Sequence, residues 1–197
     1  MDAAQPAGAV SGHPGWHRLS RAFYQRDTVE VARALLGTVL VREHEGRILA
    51  GRIVEVEAYL GPADLAAHSS KGITPRNAVM FGPAGHAYVY MIYGMHFCMN
   101  VVTQGRTGTA VLIRALEPVV NIQARTQGPA LLCKALHIDR SFNGEDLLGD
   151  RLYLAAPSEL PPFRVARRPR IGVDYSGVWA KRLLRFYVSG NAYVSKR

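Results

Sequence analysis

From Arg47 to Tyr59 the chain runs thirteen residues without a proline, carrying Ile48, Ile53, Val54 and Val56, and a long β-strand is what accommodates that pattern. Glu45-Gly46 offers a tight turn before it, and Thr38 to Glu43 reads as an antiparallel partner. Strand alternation sends Val54, Val56 and Ala58 to one face and Ile53, Glu55, Glu57 and Tyr59 to the other. Acids beside an aromatic ring are poor material for a dry core. That second face is expected to form the wall of a polar cleft.

The remaining elements are shorter. Asp27 and Glu30, three apart, mark a helix start ahead of Ala32, Leu35 and Leu36, and Gly37 ends it. Gly61-Pro62 breaks the long strand, a short helical stretch leads to His68, and Thr74 to Asn77 reads as a turn or helix start. Ala87 to Val102 is a strand, a tight turn at Tyr93-Gly94 and a return strand. Thr109 to Ala115 is a further strand ending at Glu117-Pro118, and Gly128-Pro129 opens a helix over Ala130 to Leu136. Arg170 to Val173 and Leu184 to Val188 read as closing strands. Long strands beside a few helices, without regular βαβ alternation, predict an α+β fold with a mainly antiparallel sheet.

The 197 residues are 48% hydrophobic and 20% charged, which predicts one domain over residues 17–197 after an N-terminal tail, 1–16, rich in Ala, Gly and Pro. The formal net charge is +9, which points to a polyanionic partner. Arg164, Arg167, Arg168, Arg170, Lys181, Arg182 and Arg185 cluster near the C-terminus against Asp174 alone, although a solvated basic face has the same composition. Cys98 and Cys133 lie in apolar runs and lack metal-ligand spacing, so free buried thiols in a reducing compartment are expected. No stretch suits a bilayer crossing or a secretory signal, and an intracellular protein is expected.

Several side chains carry possible chemistry. Glu57 and Tyr59 share a strand face, Tyr90 and Tyr93 sit at or near a hairpin tip, and Arg114 interrupts an apolar strand, where a charge needs a partner. Singly, each has an ordinary reading: a solvent-facing acid, packing tyrosines, a hydrogen-bonded loop histidine at His68, or an ion pair of Arg114 with Glu117 or another acid.

Together these residues resemble a known family. Glu55-Val-Glu57-Ala-Tyr59-Leu-Gly-Pro-Ala-Asp64-Leu-Ala-Ala-His68-Ser is similar to the active-site segment of the alkyladenine (3-methyladenine) DNA glycosylases. Thr74 to Asn77, Tyr88 to Asn100, Leu112 to Pro118, Gly128-Pro129 with Leu132 to Leu136, Arg170 to Val173 and Leu184 to Tyr187 follow in order. The likeness covers nearly all of the chain after the tail.

The resemblance implies an enzyme that turns a damaged purine out of double-stranded DNA and hydrolyses its glycosidic bond. It implies one α/β domain with a protruding β-hairpin, and no metal or organic cofactor. Glu57 would be the general base. Arg114 would hold the water and a phosphate, with the Ile171 carbonyl as a further contact. Tyr59 and His68 would stack on one face of the extruded base and Tyr90 on the other. The His68 N–H would meet the purine 6-position, and Asn100 would crowd the 2-amino group of guanine. Tyr93, supported by Met95, would fill the gap in the duplex, with Arg76 and His96 also on DNA.

The connection between Pro118 and Gly128 is shorter than the family's usual one, and Leu131 replaces a backbone-contacting Lys of some relatives. His96, where vertebrate members carry Tyr, is the bacterial pattern, and it implies a cytoplasmic, nucleoid-associated protein. A monomer without an obligate protein partner or membrane contact is expected. Two other readings stay open: a noncatalytic lesion- or nucleic-acid-binding module on the same scaffold, and an enzyme acting on RNA or nucleotides.

Overall fold

A computed structural model describes residues 15–196. The strands are β1 (Trp16–Arg18), β2 (Val39–His44), β3 (Arg47–Tyr59), β4 (Ala87–Ile92), β5 (His96–Thr103), β6 (Thr109–Val120), β7 (Leu152–Pro157), β8 (Val165–Arg168) and β9 (Arg185–Val188). The helices are α1 (Arg21–Tyr24), α2 (Thr28–Leu35) and α3 (Pro129–Ala135), joined by short 3-10 turns. The strands form one nine-stranded sheet in the order β1-β7-β2-β3-β6-β5-β4, with β9 pairing β3 and β8. Every ladder among the described residues is antiparallel, so the α+β expectation holds. Residues 1–14 of the expected tail lie outside the described residues, and Trp16 already pairs with Pro157.

The sheet forks at β3. Its first half, up to Arg52, pairs with β2, and Glu55 to Glu57 pair with β9, while β6 runs along the other edge. At the fork the β3–β6 ladder goes from Ile53↔Leu116 to Glu55↔Ala115 and then to Val56↔Ile113, passing over Val54 and Arg114. An extra residue in a ladder bends the strand and re-aims side chains. Strict alternation therefore fails here. Ile53 joins Val56 and Ala58 in the main core, and Val54 packs with Ala115, Tyr187 and Val194 instead. Glu55, Glu57 and Tyr59 keep the common face expected of them.

The main core lies between the sheet and helices α2 and α3. Asp27 caps α2 by accepting from the N–H groups of Val29 and Glu30, an arrangement worth about 1 kcal/mol. Val31, Ala32 and Leu35 then reach Ile53, Val56, Ile113 and Leu116, each large side chain contributing roughly 1.5–3 kcal/mol by burial. Gly37, at φ +86, turns the chain out of α2, and its Cβ position would meet Leu160 at 2.8 Å. Leu132, Cys133 and Leu136 bring α3, with Pro129 in its first turn, onto the same core. With this face filled, the opposite face of β3, β5 and β6 is left for Glu57, Asn100 and Leu112, whose register sets them side by side.

Three local expectations are corrected. β6 continues through Pro118 to Val120. Pro118 sits opposite Gly51, where the ladder shifts register, a place that tolerates a missing N–H. Arg170 to Val173 is a bend rather than a strand: Gly172 has φ +75, and the Arg170 side chain and Ile171 N–H are bonded to β3 and its loop. β7 and β8 form strands that the sequence reading passed over.

Candidate active site

β3 delivers Glu57 with its side chain fully buried. Three groups converge on its carboxylate. The Tyr59 hydroxyl donates to Oε2 at 2.9 Å, the Ile171 N–H donates to Oε1 at 2.7 Å, and Arg114 Nη1 lies 3.3 Å from Oε1. Burial pushes the Glu57 carboxyl above the usual carboxylate range, opposed first by the Arg114 guanidinium and then by the Ile171 and Tyr59 hydrogen bonds. The carboxylate has both a reason to take up a proton and donors that hold it in one orientation.

Arg114 is tied on its other side by Glu55, whose Oε1 accepts from Arg114 Nε at 3.1 Å and from Arg185 Nη1 at 3.0 Å. The second Glu55 oxygen accepts from the Ser195 N–H at 2.7 Å. The ion pair expected of Arg114 with Glu117 or another acid is thus made with Glu55 and Glu57, and Glu117 pairs with Arg52 at 3.4 Å. Arg170 and Arg185 leave the presumed basic face altogether, since both are buried in ion pairs, with Asp64 and Glu55 respectively. Glu55, Asp64 and the interior role of Arg170 were missed. Their only sequence trace is the alternation of Glu55 with Glu57 and the presence of Asp64 in the same block.

In front of this cluster opens a cavity of about 320 Å³ lined by Tyr59, His68, Tyr88, Tyr90, Asn100 and Arg114, with Ile171 and Tyr175 among its further walls. The size suits a small planar ring system. His68 Nδ1 and the Tyr88 hydroxyl are 2.9 Å apart, and burial lowers the His68 pKa with help from Arg76 and Lys71, so the imidazole is neutral at pH 7. Asn100 Nδ2 donates to the Tyr88 carbonyl at 3.1 Å, which fixes the amide at the cavity wall. Cys98, also on the wall, is held up to about pKa 11 by burial, so its thiol is not a nucleophile. Tyr175, 72% exposed at the mouth, carried no sequence signal.

The His68 and Tyr90 rings touch edge to face, 4.6 Å apart at 72°. Two rings that sandwich a base stand about 7 Å apart, twice a van der Waals separation of ~3.5 Å. As they stand, the two rings leave no room for a planar base between them. Ile171 meets Glu57 through its N–H, on the amide side of the residue whose carbonyl the sequence reading singled out.

At the rim, β4 and β5 are joined through Tyr93, Gly94 and Met95, and the Met95 N–H bonds back to the Ile92 carbonyl. Tyr93 is 88% exposed and Met95 71%. His96 and Arg76 are also exposed, and Arg76 lies over the Tyr90 ring at 5.4 Å. Among the described residues, no group of three His, Cys, Asp or Glu side chains could hold a metal ion, and no helix is long and apolar enough to cross a membrane.

Comparison with known proteins gives a consistent result. Residues 22–192 match a family model described as Methylpurine-DNA glycosylase (MPG). A Legionella pneumophila (strain Corby) protein is 58% identical over 180 residues, covering 91% of this chain and 98% of its own. A Myxococcus xanthus (strain DK1622) protein is 52% identical over 181 residues, 90% of this chain and 93% of its own. An Anaeromyxobacter sp. (strain Fw109-5) protein is 54% identical over 183 residues, 91% and 93%. All three carry the name "Putative 3-methyladenine DNA glycosylase".

Proposed function

Since the chain belongs to the methylpurine-DNA glycosylase family, we propose that it excises alkylated or deaminated purines, of the 3-methyladenine, hypoxanthine and ethenoadenine class, from double-stranded DNA. The observation that carries the reading is Glu57: a fully buried carboxylate, held by Tyr59, Ile171 and Arg114, behind a cavity lined with aromatic rings.

The extruded nucleotide enters that cavity, and stacking on Tyr59, His68 and Tyr90 offsets part of the cost of unstacking it. Glu57 takes a proton from a water molecule whose oxygen bonds to C1′. The C1′–N bond breaks, its electron pair leaves with the purine, and an abasic sugar remains. A purine alkylated on a ring nitrogen starts out positively charged and departs neutral, whereas hypoxanthine or ethenoadenine departs as the anion and takes up a proton from solvent, to which Glu57 returns its own. Arg114 orients the attacking water and balances the carboxylate. Asn100, at the cavity wall, excludes the guanine 2-amino group. Tyr93 and Met95, exposed at the β4–β5 turn, fill the space vacated in the duplex, and Arg76 and His96 reach its backbone. On this reading the protein works as a monomer on chromosomal DNA in the cytoplasm.

The test is a duplex carrying a single hypoxanthine or ethenoadenine, incubated with the protein and then treated with alkali to cut abasic sites. Strand cleavage at the lesion is expected. Lesion binding without any abasic product would instead make the protein a noncatalytic lesion-binding module.

A further inference from the structure

The side chains of Asp64 and Arg170 are fully buried and form a two-pronged ion pair. Arg170 Nη2 donates to Asp64 Oδ1 at 2.8 Å, and Nη1 donates both to Asp64 Oδ2 and to the Ala58 carbonyl, the latter at 2.9 Å. Asp64 also accepts from the Leu60 N–H at 3.0 Å and the Ala66 N–H at 3.1 Å. Such a pair contributes little net stability compared with apolar residues of the same shape, so its presence calls for another account.

Its neighbours supply one. The Arg170 guanidinium lies 4.7 Å from the centre of the Tyr59 ring, whose hydroxyl is bonded to Glu57. The next residue along the backbone is Ile171, whose N–H is bonded to the other Glu57 oxygen. By gripping Ala58 and the 60–66 loop, Arg170 holds the bend at 171 against β3 and presses on the Tyr59 ring at the same time. We propose that Asp64 and Arg170 are a positioning pair that fixes Tyr59 and Ile171 as the two uncharged donors to Glu57, and thereby sets the orientation of the catalytic carboxylate. The proposal rests on the glycosylase reading above.

The charged and titratable groups facing Glu57 are Arg114 and Glu55 beside it, Tyr59 on its own strand, and Tyr90 and Cys98 across the cavity. Against burial, the Tyr59 and Ile171 hydrogen bonds hold the carboxyl down. Loosening them leaves burial less opposed, so Glu57 needs a higher pH to ionise.

The experiment measures single-turnover excision from a hypoxanthine duplex as a function of pH, with lesion-duplex Kd, for the unaltered protein, Arg170→Lys and Asp64→Asn. Lysine keeps the charge but not the two-pronged geometry. Both variants should lose about tenfold or more in rate at neutral pH and move the acidic limb of the profile upward, with any change in Kd limited to the looser stacking of Tyr59. Because breaking a buried pair can unfold a protein, Asp64→Asn combined with Arg170→Met removes both charges and should show the same limb shift. In the unaltered protein, the Ile171 amide should exchange hydrogen far more slowly than the exposed amides of the same bend, a readout available even if every variant unfolds.

An unmoved acidic limb, whether the rate holds or falls together with binding, overturns the positioning role, as does rapid exchange at Ile171. Absence of excision by the unaltered protein is a separate outcome: it removes the glycosylase reading, and the positioning role with it.

Discussion

Glu57 pulls the protein in two directions. Its carboxyl is held above the usual range, chiefly by burial, which means that the folded state favours the protonated form. An acid shifted this way stabilises the fold while protonated, and that contribution is lost as pH rises through the folded value. Wherever the side chain is ionised in the folded protein, it therefore works against stability. Glu57→Gln, which mimics the protonated form, is predicted to melt no lower than the unaltered protein at pH 7. The difference between the two should vanish below about pH 4, where an unfolded Glu also protonates. Thermal denaturation at the two pH values checks this, and a Gln variant that melts lower at pH 7 contradicts it. The placement of Glu57 beside Tyr59 was legible in the sequence because strand alternation is a local rule. The Asp64–Arg170 pair was not, because its members are 106 positions apart and leave no periodic trace. Arg170 and Arg185 looked like surface charge for the same reason.

At the scale of elements, the β4–β5 turn sets fold against function. Tyr93 has φ +51, and a bulky residue in the left-handed region costs about 1–3 kcal/mol. Among the described residues no hydrogen bond or ring contact holds the 88% exposed ring, which sits at the cavity rim, and the proposed role on DNA would account for keeping it there. Asparagine tolerates that backbone better. Tyr93→Asn is accordingly predicted to raise the melting temperature by roughly 2–4 °C for each kcal/mol of strain relieved. The same change should weaken binding to lesion duplex and leave binding to single strands nearly intact. Calorimetry and paired binding titrations check it, and equal losses on both DNA forms reject the wedge role. The turn itself was readable from Tyr93-Gly94, as α2 was from Asp27 and Gly37. The fork in β3 was not, since a bulge is set by partner strands on both sides, and only the assembled sheet brings β2, β6 and β9 to the same strand.

At the scale of the whole molecule, the net charge of +9 divides into an interior and an exterior share. Arg114, Arg170 and Arg185 are buried in ion pairs around the candidate site, while Arg76, Arg164, Arg167, Arg168, Lys181 and Arg182 are exposed. If all six exposed cations meet phosphates, log K should fall against log salt with a slope of about −5, at roughly −0.9 for each. Fluorescence anisotropy on duplex DNA across a salt series measures the slope, and a flat response means that these cations face away from DNA. The central claim is narrower than electrostatics: one buried carboxylate activates the attacking water. Its most direct test is single-turnover excision of hypoxanthine by Glu57→Gln beside the unaltered protein, on one duplex at neutral pH. The account predicts that the variant binds the lesion as tightly as before and loses about 10²–10⁴-fold in rate. A folded variant that still excises at the unaltered rate would contradict it.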